Sequence, residues 1–345
     1  MLNLEAKKFK NKFAFSLVFW FSLLSFLLFS PKISSASSLP YELRGNLLIE
    51  VENRGQAWYV DYENGLRHIL SPNSFLEVAR QNSLGISNSD LKKIPIAIDG
   101  RLIKIDSDND GLDDRLESAI GTNPFNSDSD GDSHPDALEI KNHYNLLGSG
   151  RLPIDLNFTK KLAGQFLLQV EGKGELWYLS PRDNLRYYIG DYEDLIKIVS
   201  LLGCGINKES LNLIADARLI VKDAEKNIKV DVGAKQRVYY YLGDTQIGSF
   251  PVSAGKASMP TPKGNFSIIN KYPKAWSSYG LWMPYWLGMG TGRFGFHELP
   301  IWPSGYREGE NHLGVAVSHG CIRLGIGPAE FLYNWVEVGT PVLIY

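Results

Sequence analysis

The chain has 345 residues, 44% of them hydrophobic, enough for roughly two or three domains with cores of their own. Its 36 Lys and Arg nearly cancel its 38 Asp and Glu, leaving a net charge of −2, so nucleic acid is excluded as a partner for want of a basic footprint. Two cysteines, Cys204 and Cys321, cannot build a disulfide framework.

Lys7, Lys8, Lys10 and Lys12 precede an uncharged run from Phe13 to Phe29, followed by Pro31 and the small residues Ser34, Ser35 and Ala36. This pattern predicts a secretory signal peptide over residues 1–36, cleaved after Ala36. The run is long for a signal and near the lower limit for a membrane span, so the alternative is an uncleaved N-terminal anchor. Only that alternative makes the membrane a partner. Either way the remainder is expected outside the cytoplasm, exported to the cell envelope or beyond.

The chain then repeats itself. Gly45 to Ile94 aligns with Gly164 to Ile214, matching Gly45 with Gly164, Glu52 with Glu171, Trp58-Tyr59 with Trp177-Tyr178, and Leu66-Arg67 with Leu185-Arg186. Leu47–Val51, Ala57–Val60 and Leu66–Leu70 read as strands, the first two joined by a turn at Asn53-Arg54-Gly55, and Ser74–Gln81 as a short helix. Two small α+β modules are expected, at residues 40–105 and 160–222. Cys204 matches Leu84 and therefore reads as a core hydrophobe. Trp58, Tyr59, Trp177, Tyr178, Tyr187 and Tyr188 are either strand core or aromatic platforms for wall glycan.

Between the repeats, residues 106–140 carry acidic side chains at calcium-loop spacing. Asp106, Asp108, Asp110, Leu112 (by its carbonyl), Asp114 and Glu117 fall at positions 1, 3, 5, 7, 9 and 12, with Gly111 at the sharp turn. A second frame holds Asp128, Asp130, Asp132, His134 (by its carbonyl), Asp136 and Glu139, with Ser133 where glycine is usual. These loops, joined by Gly121-Thr122-Asn123-Pro124, resemble thrombospondin type 3 repeats. The expected ion is structural Ca²⁺; none is expected to act in catalysis.

Residues 226–345 are punctuated by Gly and Pro between short apolar runs: Asn227–Val232, Gln236–Leu242, Ile247–Val252, Phe266–Ile269 and Pro341–Tyr345. Pro328–Val336 is the one good helix candidate, with Pro at its first turn. The pattern predicts a mainly-β sandwich, making the whole chain multidomain.

The densest chemical signal is Ser318-His319-Gly320-Cys321-Ile322-Arg323. A thiolate is the nucleophile in cysteine chemistry, and a nearby imidazole generates it. Gly320 leaves room for a carbonyl, and the successive N–H groups of Gly320 and Cys321 are candidates to face its oxyanion. The bland alternative is a buried cysteine beside a satisfied histidine. The hexapeptide, an upstream Gly295-Phe296-His297, and the turn Pro260-Thr261-Pro262-Lys263-Gly264-Asn265-Phe266 together resemble the L,D-transpeptidase (YkuD-like) catalytic family from about Ile228 to Tyr345.

That resemblance implies a β-sandwich with Cys321 as nucleophile and His297 as proton acceptor and donor. His319 is then a supporting residue, Ser318 orients a histidine, and Arg323 holds a substrate carboxylate or the loop itself. It implies peptidoglycan stem peptides as substrates, cross-linked through a thioester in cell-wall biogenesis and cell shape. An L,D-carboxypeptidase, a protein-attaching enzyme, or a non-catalytic wall-binding protein are the alternatives. The gap between His297 and Ser318 exceeds the family's usual one and contains His312, a competing base.

Overall fold

The computed structural model describes residues 38–345 apart from Asn53 and Arg54. The expected signal or anchor and most of the expected turn after Val51 lie outside the described residues. Among those described, no helix is long and apolar enough to cross a membrane.

The first repeat comprises α1 (Leu39–Glu42), β1 (Leu47–Glu50), β2 (Gln56–Val60), β3 (Arg67–Leu70), α2 (Phe75–Gln81), β4 (Ser83–Ile86) and α3 (Asn88–Leu91). The acidic segment carries α4 (Asp114–Ile120) and α5 (Asp136–Asn142). The second repeat follows as α6 (Leu156–Leu162), β5 (Phe166–Gln169), β6 (Leu176–Leu179), β7 (Arg186–Ile189), α7 (Tyr192–Leu202), β8 (Cys204–Ile206) and α8 (Lys208–Leu211).

The repeats are not two independent modules. Each lends its last strand to the other's sheet: β8 pairs in parallel with β1, and β4 in parallel with β5. The resulting sheets run β3-β2-β1-β8 and β4-β5-β6-β7. A single residue, Asn82 or Gly203, separates each lent strand from the helix before it.

The repeated glycines explain themselves at this junction. Gly45 and Gly164 meet backbone to backbone, and a Cβ on Gly45 would lie 2.5 Å from the Gly164 Cα. Tyr59 Oη donates to Gly164 O at 3.0 Å, and Tyr178 Oη donates to Gly45 O at 2.7 Å. One core then fills both halves, with Leu47, Tyr59 and Phe75 packed with Phe166, Tyr178 and Ile198.

This packing decides the aromatic question. Trp58, Tyr59, Trp177, Tyr178 and Tyr187 are buried, and Tyr188 is half-buried against Trp177, so they are core and not glycan platforms. The expectation for Cys204 fails. Cys204 and its match Leu84 are both exposed, because both sit near the start of strands at the outer edges of their sheets. The equivalence of the repeats also breaks at one buried charge. Arg67 faces Asp216 at 3.8 Å. Arg186, at the matching place, pairs with Ile96 along the backbone and has no carboxylate partner among the described residues. Burial pushes its guanidinium down to about 9, and it rests over the Trp177 ring, 4.6 Å from the centroid.

The last third contains β9 (Lys226–Asp231), β10 (Arg237–Leu242), β11 (Thr245–Ser253), β12 (Gly264–Trp276), β13 (Trp282–Met289), β14 (Phe294–Glu298), β15 (Ile322–Leu324), α9 (Pro328–Trp335) and β16 (Pro341–Ile344). The expected sandwich is instead a closed barrel, in the order β10-β11-β15-β14-β13-β12-β16-β9. Three strands missing from the expected set, β13 to β15, join β11 to β12 and so close the five expected strands, β11-β10-β9-β16-β12, into the barrel. Val230, Tyr240, Phe250, Ile268, Leu287, Phe296 and Ile322 fill the interior, and α9 adds Phe331, Leu332 and Trp335.

The repeat domain is fixed to this barrel through α1 and α9. The Tyr41 ring meets Phe250 edge-on at 5.2 Å and Phe331 at 5.5 Å. The Arg44 guanidinium lies 4.4 Å from the Phe331 ring centroid, and Trp335 Nε1 donates to Asn64 Oδ1 at 3.1 Å.

Candidate functional site

β14 and β15 run side by side in parallel, with Phe296 opposite Ile322 and His297 opposite Arg323. Phe296 and Ile322 are wholly buried in the barrel core. Strand alternation therefore turns Gly295 and His297, together with Arg323, to the other face. Cys321 stands two residues before Arg323, at the mouth of β15, and joins that face. The chain thus brings His297, Cys321 and Arg323 to one patch from neighbouring strands.

The loop before Cys321 is pinned from three sides. Ser318 N–H donates to Ala254 O, and Lys256 N–H donates to Ser318 O, both at 3.0 Å. The buried Ser318 hydroxyl donates to Cys321 O at 2.5 Å and accepts the Gly320 N–H at 3.1 Å. Thr261, also buried, donates to Gly320 O and accepts the Gly255 N–H, both at 2.9 Å. Gly320 has φ of +110°, a conformation that side-chain-bearing residues rarely adopt. The Thr-Pro turn singled out in the sequence is therefore the bolt of the nucleophile loop.

Two expectations are corrected here. Ser318 does not orient a histidine; both its hydroxyl bonds go to the loop's own backbone. The Gly320 N–H is bound to Ser318 and so does not face an oxyanion in this structure.

His297 Nδ1 lies 2.6 Å from Glu298 O. A carbonyl oxygen only accepts, so Nδ1 carries the proton and Nε2 keeps the lone pair. Burial, and then the Arg323 charge, hold this imidazole well down, at about 3. Burial pushes the Cys321 thiol up, while a Gly295 backbone bond and Arg323 pull the other way. The resting pair is a neutral thiol and a neutral imidazole.

Arg323 is buried, and its guanidinium donates to Glu308. Of the two roles open to it, the structure shows the loop-holding one. Glu308 lies in the long connection between β14 and β15 and also meets His312 Nδ1 at 3.1 Å. Arg307 beside it bonds Glu298. The extra length is a strap tied to the ends of both strands, and His312, the competing base, is engaged in it. His319 points away from this patch. Its ring stacks on Tyr279 at 4.8 Å, and its Nε2 lies 3.2 Å from Lys256 Nζ. Nearby, Trp286 is buried in β13 while Trp276 and Tyr279 stay exposed. Thr261, Lys256 and Glu308 carried no role in the sequence reading. Only Thr261 had a signal there, as part of the Thr-Pro turn.

The acidic loops form a second cluster. Ligand oxygens of Asp106, Asp108 and Asp110 lie within 4.8 Å of one another, as do those of Asp128, Asp130 and Asp132. A third group joins Asp110 and Glu117 of the first loop to Asp136 of the second. Asp114 stands apart, bound to Ser107 N–H and Oγ at 2.9 and 2.7 Å. His134 turns its ring to Asp132 at 2.9 Å, and Leu112 is buried under the first loop.

The second loop has the shape of the first although Ser133 replaces glycine. Asn109 and Gly111 are left-handed in one, Gly131 and Ser133 in the other. The residues present fit a cation. Asp106 Oδ1, Asp108 Oδ2, Asp110 Oδ2, Glu117 Oε2 and Glu139 Oε2 are buried without a hydrogen-bond partner. Burial and neighbouring carboxylates push Glu117 up to about 8 and Glu139 up to about 7.

The last third of the chain is similar to known proteins. A Bacillus licheniformis relative named L,D-transpeptidase YkuD is 31% identical over 30% of this chain and 56% of its own length. Its Bacillus subtilis namesake is 31% identical over 34% of this chain and 65% of its own. The chain thus spans less than two thirds of either relative. A solved L,D-transpeptidase from Mycobacterium smegmatis is 25% identical over 35% of this chain and 59% of its own, with a TM-score of 0.31. Residues 225–344 match the YkuD family of L,D-transpeptidase catalytic domains, and residues 106–127 match the bacterial TSP3 repeat.

Proposed function

We propose that this protein is an exported peptidoglycan L,D-transpeptidase that cross-links stem peptides through a Cys321 thioester, in wall biogenesis and maintenance of cell shape. The observation that carries the reading is the placement of His297 and Cys321 on one face of adjacent parallel strands, with the nucleophile loop fixed by Ser318 and Thr261.

Cys321 Sγ attacks the donor carbonyl at an L-centre while its proton passes to His297 Nε2, the nitrogen not engaged by Glu298. The C–N bond breaks, and the departing amine takes that proton. The donor is left as a thioester. An acceptor amine then attacks the thioester, gives its proton to His297, and the C–S bond breaks as Sγ is reprotonated. Because both groups rest neutral, proton transfer accompanies attack and no standing thiolate is needed. Arg323, tied to Glu308, supplies a positive field beside the forming charge. Hydrolysis of the same thioester gives the carboxypeptidase outcome.

The acidic loops serve as calcium sites that stiffen the link between the repeats. Asp106, Asp108, Asp110 and Glu117 would hold one ion, with Asp136 reaching toward it, and Asp128, Asp130 and Asp132, with the unpartnered Glu139, would hold another. The ions take no part in acyl transfer.

Intact-protein mass spectrometry after exposure to a carbapenem tests the catalytic reading. A one-to-one adduct on the wild type, absent from Cys321→Ala, is the expected result. A folded wild-type protein that stays unmodified overturns it and leaves the barrel as a binding scaffold.

A further inference from the structure

The long connection between β14 and β15 brings a carboxylate, Glu308, up to the barrel end that carries Cys321. Its first part is a hairpin docked on β13. Trp282 and Ile301 exchange backbone bonds, both at 2.9 Å, and Trp302 N–H donates to Tyr306 O at 2.7 Å. Glu308 N–H donates to Pro300 O at 3.1 Å. Glu308 is thereby fixed at the foot of that hairpin, with its side chain only 13% exposed.

What Glu308 meets there is a charge beside the reacting pair. Arg323 lies opposite His297 on the neighbouring strand and two residues from Cys321. Its guanidinium is buried, its Nε has no hydrogen-bond partner, and Glu308 is its carboxylate partner among the described residues. The other charged groups around the site are engaged elsewhere. Glu298 takes Arg307, whose charge also reaches Tyr285 beside Glu330. Lys256 meets His319, and His312 meets Glu308 itself. The positive field at Cys321 and His297 therefore depends on how far one carboxylate offsets one guanidinium. Arg323 already draws both the imidazole and the thiol down. A lone cation would do so more strongly than an ion pair does.

We propose that Glu308 is a positioning residue for the acyl transfer: by pairing with Arg323 it sets the positive field at Cys321 and His297, and so restrains the thiol from ionising before a substrate arrives. This rests on the reading of Cys321 as the nucleophile, and it gives the extra length between His297 and Ser318 a function. Without Glu308 the uncompensated guanidinium would favour the thiolate and disfavour the imidazolium. The cysteine would be reactive at rest, and its base weakened for the step it serves. With Glu308 in place, Cys321 loses its proton only as it attacks, to His297.

The test reads the ionisation of Cys321 directly. The full chain is treated with iodoacetamide across a range of pH, and alkylation is followed on the peptide that contains Cys321, so that Cys204 does not contribute. In Glu308→Gln the rate at neutral pH should rise roughly three- to tenfold, because the midpoint of the profile moves to lower pH. Arg323→Met should move the midpoint the other way, and Glu308→Gln should add little in that background. Glu308→Asp should restore most of the wild-type profile, and His312→Gln should leave the midpoint in place. A residue that only braced the connection would lower the melting temperature and leave the midpoint alone; that result overturns the proposal. So does a shift that persists in Arg323→Met or that follows His312→Gln. A wild-type Cys321 that already alkylates as a thiolate at neutral pH overturns it too, and needs no variant to fold. The expected profiles without any carbapenem adduct would leave this charge relation in place and overturn the transpeptidase reading instead.

Discussion

The repeat domain and the barrel face the same physical problem, the unpaired edge of a β-sheet, and meet it differently. The barrel closes on itself through β13 to β15, so its strands leave no edge. The repeats close nothing. Each covers one edge of its partner's sheet with a borrowed strand and keeps outer edges at β3, β7, β4 and β8. The barrel is therefore self-contained, and its chemistry sits where two short strands end. Neither repeat completes its sheet without the other, and their junction is built from the close approach of Gly45 and Gly164, the Tyr59 and Tyr178 hydroxyls that bond across it, and a shared apolar core. Stability and catalysis are assigned to different parts of the molecule, and substitutions can separate them.

The largest effect is expected in the barrel. His297→Ala should lower the rate of Cys321 acylation by roughly 10²–10⁴, whereas His312→Ala should change it far less. A reversed outcome would place the base in the strap. The pH profile sharpens the same point. His297 is held at about 3, below its unfolded value of about 6.5, so the base is present above the folded value and is lost as pH falls through it. The acid limb of acylation should lie well below the ordinary imidazole range. The buried neutral ring also contributes stability above pH ~6.5 that declines toward pH ~3, since the unfolded chain binds the proton more tightly.

Gly164→Ala should strike the other region. Its Cβ would lie 2.7 Å from the Gly45 Cα, at a φ of +92°. The added methyl and the strained backbone together should destabilise the repeats by about 2–5 kcal/mol. Thermal melting and limited proteolysis of the repeats should report the loss, while carbapenem acylation of Cys321 survives at low temperature. Equal loss of acylation would show that the barrel depends on the junction.

The smallest effect is expected from calcium. Chelation should lower the melting temperature by the equivalent of about 1–3 kcal/mol at millimolar calcium, and Glu117→Gln should shrink that difference. A melt indifferent to chelator would remove the ion from the account.

The two regions were also legible in the sequence to different depths. In the repeats, matching Gly, Trp and Tyr positions marked the strands, and β1, β2, β3 and α2 lie within a residue or so of their expected bounds. The strand exchange was hidden, because β4 and β8 have the same sequence pattern whichever sheet they join. Exposure of Cys204 follows from that exchange and was missed with it.

In the barrel, the motif residues Cys321, His297 and Arg323 were visible, but not the strands that hold them together. β12 and β13 contain Pro273 and Pro284, residues that argue against a strand, and β15 is three residues long. Glu308 was invisible for another reason. Its bond to Arg323 is a long-range contact, and no local pattern announces the partner of a buried guanidinium.

The seating of α1 against α9 bears on how the chain acquires its shape. Tyr41 and Arg44 leave the ribosome early, yet the surface that receives them, Phe331 and the close-packed Gly327, is among the last to be made. β1 likewise waits for β8. Such long-range pairings slow folding and leave edges exposed meanwhile. A chain synthesised in this order must hold its first helix and first sheet unfinished until its final helix arrives.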